Sequence, residues 1–295
     1  MPTREELEQR RFSLSAAKQV LLEKRRQSIA TLEARADRIP RRPRGVLAPA
    51  SFAQQRFWFL HQLEPGNTAY HEVRTSRFNA RLDADVLKRV LLEILNRHEI
   101  LRSNFAFRDG QVQQIVHPYA RAAGELSLFD LDFQHLPASE REQEAHHAIE
   151  ALANRPFDLA SELLWRNLLI RMDEADTIFV SIIHHILCDG QGLDILEQEL
   201  HALYRAFQAD QPCPLPEPEL QYADFACWEQ QRSGGDLWRQ QLAYWRQTLF
   251  QAPGRPLLYG DRPHQPLRNA HRAASPLRYL PRSQDSSEMS ALGKA

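Results

Sequence analysis

The sequence has few cysteines, and no two of them are spaced as a pair. Cys188, Cys213 and Cys227 are the three cysteines among 295 residues, and none of them forms a CxxC motif. Such a set excludes a disulfide framework and a thiolate zinc site as organising features of the fold. It is typical of proteins in a reducing compartment, so we expect a cytoplasmic protein without a bound metal.

A strong net charge, long apolar runs and internal repeats are also absent. The net charge is -1, so no global field attracts nucleic acid or an anionic membrane. No apolar run reaches the roughly 20 residues that span a bilayer, and the polar, acidic residues 1–9 do not resemble a secretory signal. We therefore expect neither nucleic acid nor a membrane among the partners. With 43% apolar and 25% charged residues, the composition is that of a globular protein.

The first part of the chain, residues 1–45, is predicted to be an appendage. Apolar residues between Leu14 and Leu32 recur at helical spacing among many charges, which predicts one amphipathic helix. The basic, proline-containing stretch Arg38–Arg44 follows. We interpret it as a solvated connector, with a phosphate-attracting strip as the alternative. The globular part is predicted to occupy residues 46–295.

Periodicity predicts alternating helices and strands from Ser51 onwards. Ser51 and Gln54 have the spacing of a capping box, which predicts a helix start, and Asp109-Gly110 between alternating apolar residues predicts a β-hairpin turn. The other expected helices cover residues 87–98, 139–154, 193–207, a stretch from 222, and 238–249. Strands are expected at residues 126–131, 164–171 and 177–183. These predictions indicate an α/β fold with a mixed sheet packed with helices.

The almost unbroken apolar stretch Ile178–Ile183 leads into His184-His185-Ile-Leu-Cys188-Asp189-Gly190. Adjacent residues of a strand point to opposite faces, so one histidine can face the interior and the other a cavity. This suits one base with a structural neighbour better than a zinc pair, for which i, i+4 spacing on a helix is usual. Asp189 can order the turn by pairing with a cation, and Gly190 permits a backbone angle that other residues avoid. On these residues alone, a structural and a catalytic interpretation are supported equally.

Four stretches, in the same order, resemble the motifs of one family. His184-His185-x-x-x-Asp189-Gly190 resembles the HHxxxDG motif of the condensation domains of nonribosomal peptide synthetases, which are relatives of chloramphenicol acetyltransferase. Residues 51–58 resemble the opening motif of that family, 97–105 its RHExLRTxF motif, and 222–228 its YxDYAxWQ motif. Two departures leave the substrate preference open: Gln191-Gly192 replaces Trp-Ser, and Glu162-Leu163 replaces Gly-Pro.

The resemblance implies the N-terminal lobe of a chloramphenicol acetyltransferase-like fold, truncated near the crossover to the second lobe, which is expected to be absent. In the family, the active site lies in a tunnel between the two lobes. We therefore expect this chain alone to be nearly inactive, unless a separate second-lobe polypeptide completes the tunnel.

The resemblance also implies the chemistry of amide-bond formation. The amine of one carrier-bound amino acid attacks the thioester of another, and both are delivered on the 4'-phosphopantetheine of peptidyl carrier proteins, without a directly bound cofactor. Adenylation domains of the same synthetase system are further implied partners. His185 is implied to be a general base or a positioning residue, and His184 to pack inward. Asp189 and Arg97 are implied to form an ion pair, and the N–H of Gly190 is a candidate oxyanion donor.

Two other functions compete with this interpretation. A freestanding acyltransferase that uses a soluble thioester such as acetyl-CoA would share the HxxxD pattern, although the opening motif and the Tyr222–Trp228 motif argue against it. A condensation-like fragment that only binds or recruits partners is the second alternative. Cys188 is expected to be a small apolar filler rather than a nucleophile, because free cysteine usually behaves as a small hydrophobe.

Overall fold

A computed structural model describes residues 38–43 and 47–250. The chain divides into two compact units, Met1–Pro40 and Arg41–Ala295, and all contacts below lie within the second unit. The helix expected near the start of the chain and the proline-rich stretch after Gln251 lie outside the described residues.

The second unit alternates helices and strands, as the periodicity predicts. Its strands are β1 (Ala48–Pro49), β2 (His71–Phe78), β3 (Ser103–Arg108), β4 (Gln111–Val116), β5 (Ser127–Asp132), β6 (Trp165–Asp173) and β7 (Asp176–His184). Its helices are α1 (Phe52–Leu63), α2 (Ala84–Arg97), α3 (Tyr119–Glu125), α4 (Ala138–Ala153), α5 (Gly190–Gln208), α6 (Tyr222–Arg232) and α7 (Asp236–Leu249), with a short 3₁₀ helix at Glu99–Arg102.

Local sequence signals set two of these boundaries. Ser51 caps α1 by accepting the Gln54 N–H, and the Gln54 side chain accepts the Ser51 N–H in return, which completes the predicted capping box. The hairpin of β3 and β4 turns at Asp109 and Gly110, with φ of 52° and 81°. Both values are positive, as a two-residue type I′ turn requires.

The strands form two sheets. A three-stranded antiparallel sheet has the order β1-β4-β3, and a four-stranded mixed sheet has the order β2-β7-β6-β5, in which β5 and β6 are parallel. Strand β7 is hydrogen-bonded on both sides. The expected mixed sheet packed with helices is confirmed.

Two arginines of β2 show how helices cover the mixed sheet. Arg74 and Arg77 are three residues apart on a regular strand, so they point to opposite faces. Arg74 lies 3.6 Å from Glu197 of α5, and Arg77 lies 2.9 Å from Glu142 of α4. The two helices therefore lie on opposite faces of the sheet, and they shield the apolar strand β7 between them.

The basic stretch that begins at Arg38 is mostly exposed where the structure describes it, but Arg42 is not solvated. Arg42 lies 2.5 Å from Glu99 and 3.3 Å from Asp224, and its side chain is 14% exposed. Its backbone N–H also donates to the Asp224 carboxylate at 3.0 Å, and Arg41 donates to the Glu219 carbonyl at 2.6 Å. The prediction of a solvated connector is therefore wrong at Arg42, which two carboxylates distant in sequence bind. Arg41 is exposed, and its partner is a main-chain carbonyl.

Candidate active site

The end of β7 separates the two adjacent histidines. The backbone N–H of His185 donates to the Tyr70 carbonyl at 2.8 Å, which continues the pairing of β7 with the chain before β2. The strand alternation therefore persists through both residues. His184 is 1% exposed, whereas the side chain of His185 is 32% exposed. The predicted placement on opposite sides is confirmed.

His184 is a buried, neutral side chain. Its Nδ1 accepts the Ile186 N–H at 3.0 Å, so the ring proton lies on Nε2. The rings of Phe57, His71 and Phe157 pack around it. Burial, and secondly the nearby His71, lower the pKa of His184 from 6.5 to about 3. A ring with this pKa stays neutral near pH 7 and does not act as a base there, which fits the expected inward-packing role.

The tautomer of His185 is fixed by the backbone. Its Nδ1 lies 2.7 Å from the Cys188 carbonyl oxygen, so Nδ1 carries the proton and donates it. In the neutral ring, Nε2 is then left with a free lone pair. The imidazole also stacks on the Phe57 ring, with 4.9 Å between the ring centroids. These two contacts hold the ring with its basic nitrogen directed away from the backbone.

Glu72 faces this basic nitrogen, although no motif in the sequence points to it. Its Oε1 lies 3.6 Å from the Nε2 of His185. The register of β2 and β7 brings the two residues together. His71 is paired with His184, so the residues that follow them, Glu72 and His185, lie diagonally across the two strands. Strand β2 was not among the predicted strands, because its residues His71–Phe78 are mostly polar and do not alternate.

The turn after the histidines is ordered by helix capping. The Asp189 carboxylate accepts the Gly192 N–H at 2.9 Å and caps α5. Gly190 is the first residue of α5 and is exposed, and its φ is not positive, so the expected special backbone angle is wrong. Gly192 is the constrained glycine, since an added Cβ would lie 2.9 Å from the Cβ of Cys188.

The implied ion pair between Arg97 and Asp189 does not form. The buried Arg97 guanidinium instead donates to the Pro216 carbonyl at 2.7 Å and lies 3.6 Å from the Glu199 carboxylate. Glu199 in turn lies 2.7 Å from Nε2 of His98. Asp189 is exposed and its carboxylate serves as the cap of α5. The physical reason is that each side chain has other partners: Arg97 has the Pro216 carbonyl and Glu199, and Asp189 has the Gly192 N–H.

Cys188 lies beside His185 but has no nucleophilic character. Burial, followed by the charges of Glu72 and Asp189, raises the pKa of the Cys188 thiol to about 12. The thiolate is the reactive form of cysteine, and it is therefore absent near neutral pH. This agrees with the expectation of a small filler residue.

A cavity of about 450 Å³ opens beside His185, and stretches from all four motifs contribute to its wall. The motif residues that line it are Ala53, Gln54, Arg56 and Phe57; His98, Ile100 and Leu101; His185, Ile186, Leu187, Cys188 and Asp189; and Tyr222. Tyr222 also shares a 2.9 Å hydrogen bond with Ser51, which ties the last motif to the first. The structure thus assembles distant motifs around one histidine.

Within residues 38–43 and 47–250, no group of three His, Cys, Asp or Glu side chains is arranged to hold a metal ion. No helix among the same residues is long and apolar enough to cross a membrane.

Comparison with known proteins identifies the family. The family model described as the condensation domain matches residues 46–274. The chain belongs to the condensation-domain family. A linear gramicidin synthase protein from Brevibacillus parabrevis is 39% identical to this condensation-domain chain over 215 residues, 73% of this chain and 4% of that protein. Chondramide synthase cmdD from Chondromyces crocatus is 39% identical over 207 residues, 70% of this chain and 5% of that protein.

Solved structures show the same fold. The starter condensation domain of rhizomide synthetase RzmA matches with a TM-score of 0.64 at 19% identity, over 71% of this chain and 49% of that chain. The X-domain from teicoplanin biosynthesis matches with a TM-score of 0.65 at 26% identity, over 77% of this chain and 48% of that chain. The condensation-domain chain therefore spans about half the length of these solved chains, and only a small part of the curated synthases that it matches.

Proposed function

We propose that this condensation domain takes part in nonribosomal peptide synthesis by forming an amide bond between two carrier-bound aminoacyl groups, with His185 beside the reacting amine. The observation that carries the proposal is the state of the His185 ring. Its Nδ1 proton is committed to the Cys188 carbonyl, which leaves Nε2 as a proton acceptor at the cavity. Membership of the family supports the same reaction class.

The reaction needs only modest help from a base. A free α-amino group has a pKa of about 8, so a large fraction of it is protonated at neutral pH. Nε2 of His185 accepts a proton from this group or orients it, and the neutral amine attacks the thioester carbonyl. The C–N bond forms, the C–S bond breaks, and the second amine proton leaves with the thiol.

The first turn of α5 is a candidate site for the oxyanion that develops on the carbonyl. Gly190 is the first residue of α5, and the N–H groups of a first helical turn have no acceptor within the helix. A Cβ added at Gly190 would meet no atom within 4 Å, so space is available beside this backbone. We assign the Gly190 N–H as the donor to the oxyanion, and Asp189 as the residue that shapes this turn.

The substrates are proposed to arrive on the 4'-phosphopantetheine arms of a donor and an acceptor peptidyl carrier protein. Adenylation domains of the same synthetase system complete the assembly. The cavity volume of about 450 Å³ lies within the range of roughly 300–1,000 Å³ that is typical of ligand pockets. The three free cysteines favour a reducing, cytoplasmic location.

The test is single-turnover transfer between two loaded carrier proteins, with the chain assayed alone and together with a second lobe of the family. His185→Ala is expected to lower amide formation by at least ~10²-fold, which is typical of a lost general base. His135→Ala removes an exposed histidine that does not line the cavity and should leave the rate unchanged. A near-normal rate in His185→Ala would refute the catalytic assignment.

Two further experiments distinguish the possible roles of His185 and the competing functions of the chain. Added imidazole should restore part of the rate of His185→Ala if this side chain transfers a proton, but not if it only positions the amine. Acyl-CoA and a soluble amine are supplied in place of the carrier proteins in a parallel reaction. Comparable turnover there would indicate a CoA-dependent acyltransferase, and binding of carriers without turnover in any arm would indicate a recruitment fragment.

A further inference from the structure

Two proton acceptors face each other at the cavity beside β7. In the neutral ring, Nδ1 of His185 carries the proton and Nε2 presents a lone pair. The ionised Glu72 carboxylate also only accepts hydrogen bonds, and its Oε1 lies 3.6 Å from that nitrogen. Two acceptors this close repel each other unless Nε2 is protonated or a donor with at least two N–H or O–H bonds lies between them.

Apart from His185, no basic side chain among the described residues forms a salt bridge with Glu72. The contact with His185 is an ion pair only when the imidazole is protonated. Arg74, on the same face of β2, is directed to Asp194 and Glu197 of α5. The Glu72 charge also contributes, after burial, to the raised pKa of the Cys188 thiol. This corner of the site therefore disfavours anions and favours a cation.

The backbone fixes this arrangement. Tyr70 accepts the backbone N–H of His185, and Glu72 follows two residues later on the same strand. Residues two apart share a face of a strand, so Glu72 is the diagonal cross-strand neighbour of His185. The side chains of Glu72 and His185 are 39% and 32% exposed, so a ligand can reach both.

We propose that Glu72 and His185 together form the subsite for the α-ammonium group of the acceptor amino acid, and that Glu72 selects for this cation. The inference rests on the proposed function, and it assigns Glu72 as a substrate-binding residue. A single nitrogen can lie about 2.9 Å from both acceptors, which is the usual N–H···O distance. The primary ammonium group supplies the two N–H donors that the pair lacks.

The same arrangement accounts for the fate of one proton. The ammonium gives one proton to Nε2 of His185, and the nitrogen keeps the electron pair that attacks the thioester. The resulting imidazolium then faces the Glu72 carboxylate, and opposite charges at this distance attract. Glu72 forms no covalent bond and takes up no proton in this step.

The experiment compares two ligands that differ at one group. Alanyl-N-acetylcysteamine carries the α-ammonium, whereas propionyl-N-acetylcysteamine has hydrogen in its place. Binding of each to the chain is measured by titration calorimetry and by chemical-shift changes. We expect the wild-type chain to bind the alanyl thioester at least ~10-fold more tightly, because hydrogen bonds to charged groups are the stronger ones. Glu72→Gln, which keeps the shape and removes the charge, should reduce this preference to within ~2-fold.

Glu197→Gln is the matched control, because it removes another carboxylate above the same sheet face, one that is paired with Arg74. It should keep the full preference, and thermal melts should show that both variants are folded. The inference is wrong if the wild-type chain shows no preference or if Glu72→Gln retains it. Either result leaves the proposed function standing as long as His185→Ala abolishes amide formation. Loss of the preference in Glu72→Gln, together with a normal rate in His185→Ala, would refute the proposed function and keep the subsite.

Discussion

Removal of the Arg97 guanidinium should destabilise the fold through Glu199 and not through Asp189. In Arg97→Met the apolar stem is kept, but the Glu199 carboxylate loses a cationic partner and the Pro216 carbonyl loses its hydrogen-bond donor. The two side chains of the pair are 3% and 14% exposed, and breaking a buried pair costs about 3–5 kcal/mol. Because Glu199 keeps His98 at 2.7 Å, we expect the lower end, about 3 kcal/mol. For a domain of 150–250 residues this lowers Tm by about 6–12 °C.

Two double-mutant cycles separate the two possible partners. Arg97→Met combined with Glu199→Gln should show a coupling energy of about 0.5–3 kcal/mol, as expected for residues in contact. Arg97→Met combined with Asp189→Ala should be additive within about 0.5 kcal/mol, and Asp189→Ala alone should cost about 1 kcal/mol as a lost helix cap. Urea unfolding followed by circular dichroism provides all of these free energies. Coupling between Arg97 and Asp189, with none between Arg97 and Glu199, would refute this placement of the charges.

Three further predictions concern the loop and its buried histidine. Because burial lowers the pKa of His184 from 6.5 to about 3, His184 is protonated only in the unfolded chain between these two pH values. The free energy of unfolding should thus fall by about 1.4 kcal/mol per pH unit as pH falls from 6.5 towards 3, and denaturant titrations of His184→Gln should show a shallower fall. Gly192→Ala should lower the free energy of unfolding by about 1–3 kcal/mol through overpacking against Cys188. Gly190→Ala, which meets no neighbouring atom, should be nearly neutral, and equal losses in the two variants would contradict the steric argument. Iodoacetamide at pH 8 should leave Cys188 unmodified in the native chain and label it in urea, because its pKa is raised to about 12; rapid native labelling, seen by mass spectrometry, would exclude this environment.

The sequence predicted the elements whose residues carry their own signal. The apolar stretch of β7 is buried along most of its length, and a strand of this kind is recognisable without knowledge of its neighbours. The capping box before α1 and the Asp109-Gly110 turn are signals that involve only a few adjacent residues. The opposite orientation of His184 and His185 follows from strand geometry, so it was also predictable.

The features that the sequence did not predict depend on partners that are distant in the chain. Strand β2 carries charged residues that form ion pairs with α4 and α5, so its sequence has no apolar alternation. Glu72 becomes a neighbour of His185 only through the register of β2 and β7. The same holds for Arg42, whose carboxylate partners lie 57 and 182 residues away in sequence. The periodicity of the sequence cannot predict these contacts, because tertiary packing decides which distant residues meet.

The acceptor that fixes the His185 tautomer is a main-chain carbonyl, and this has a consequence for how the site tolerates sequence change. Every amino acid at position 188 supplies that same oxygen atom, so the orientation of the imidazole is not encoded by the identity of residue 188. The space around the cysteine side chain is limited, because a Cβ added at Gly192 would lie 2.9 Å from the Cβ of Cys188. Position 188 is thus free to drift among small residues during evolution, and a saturation library there should retain small residues and lose bulky ones while the basic nitrogen stays in place.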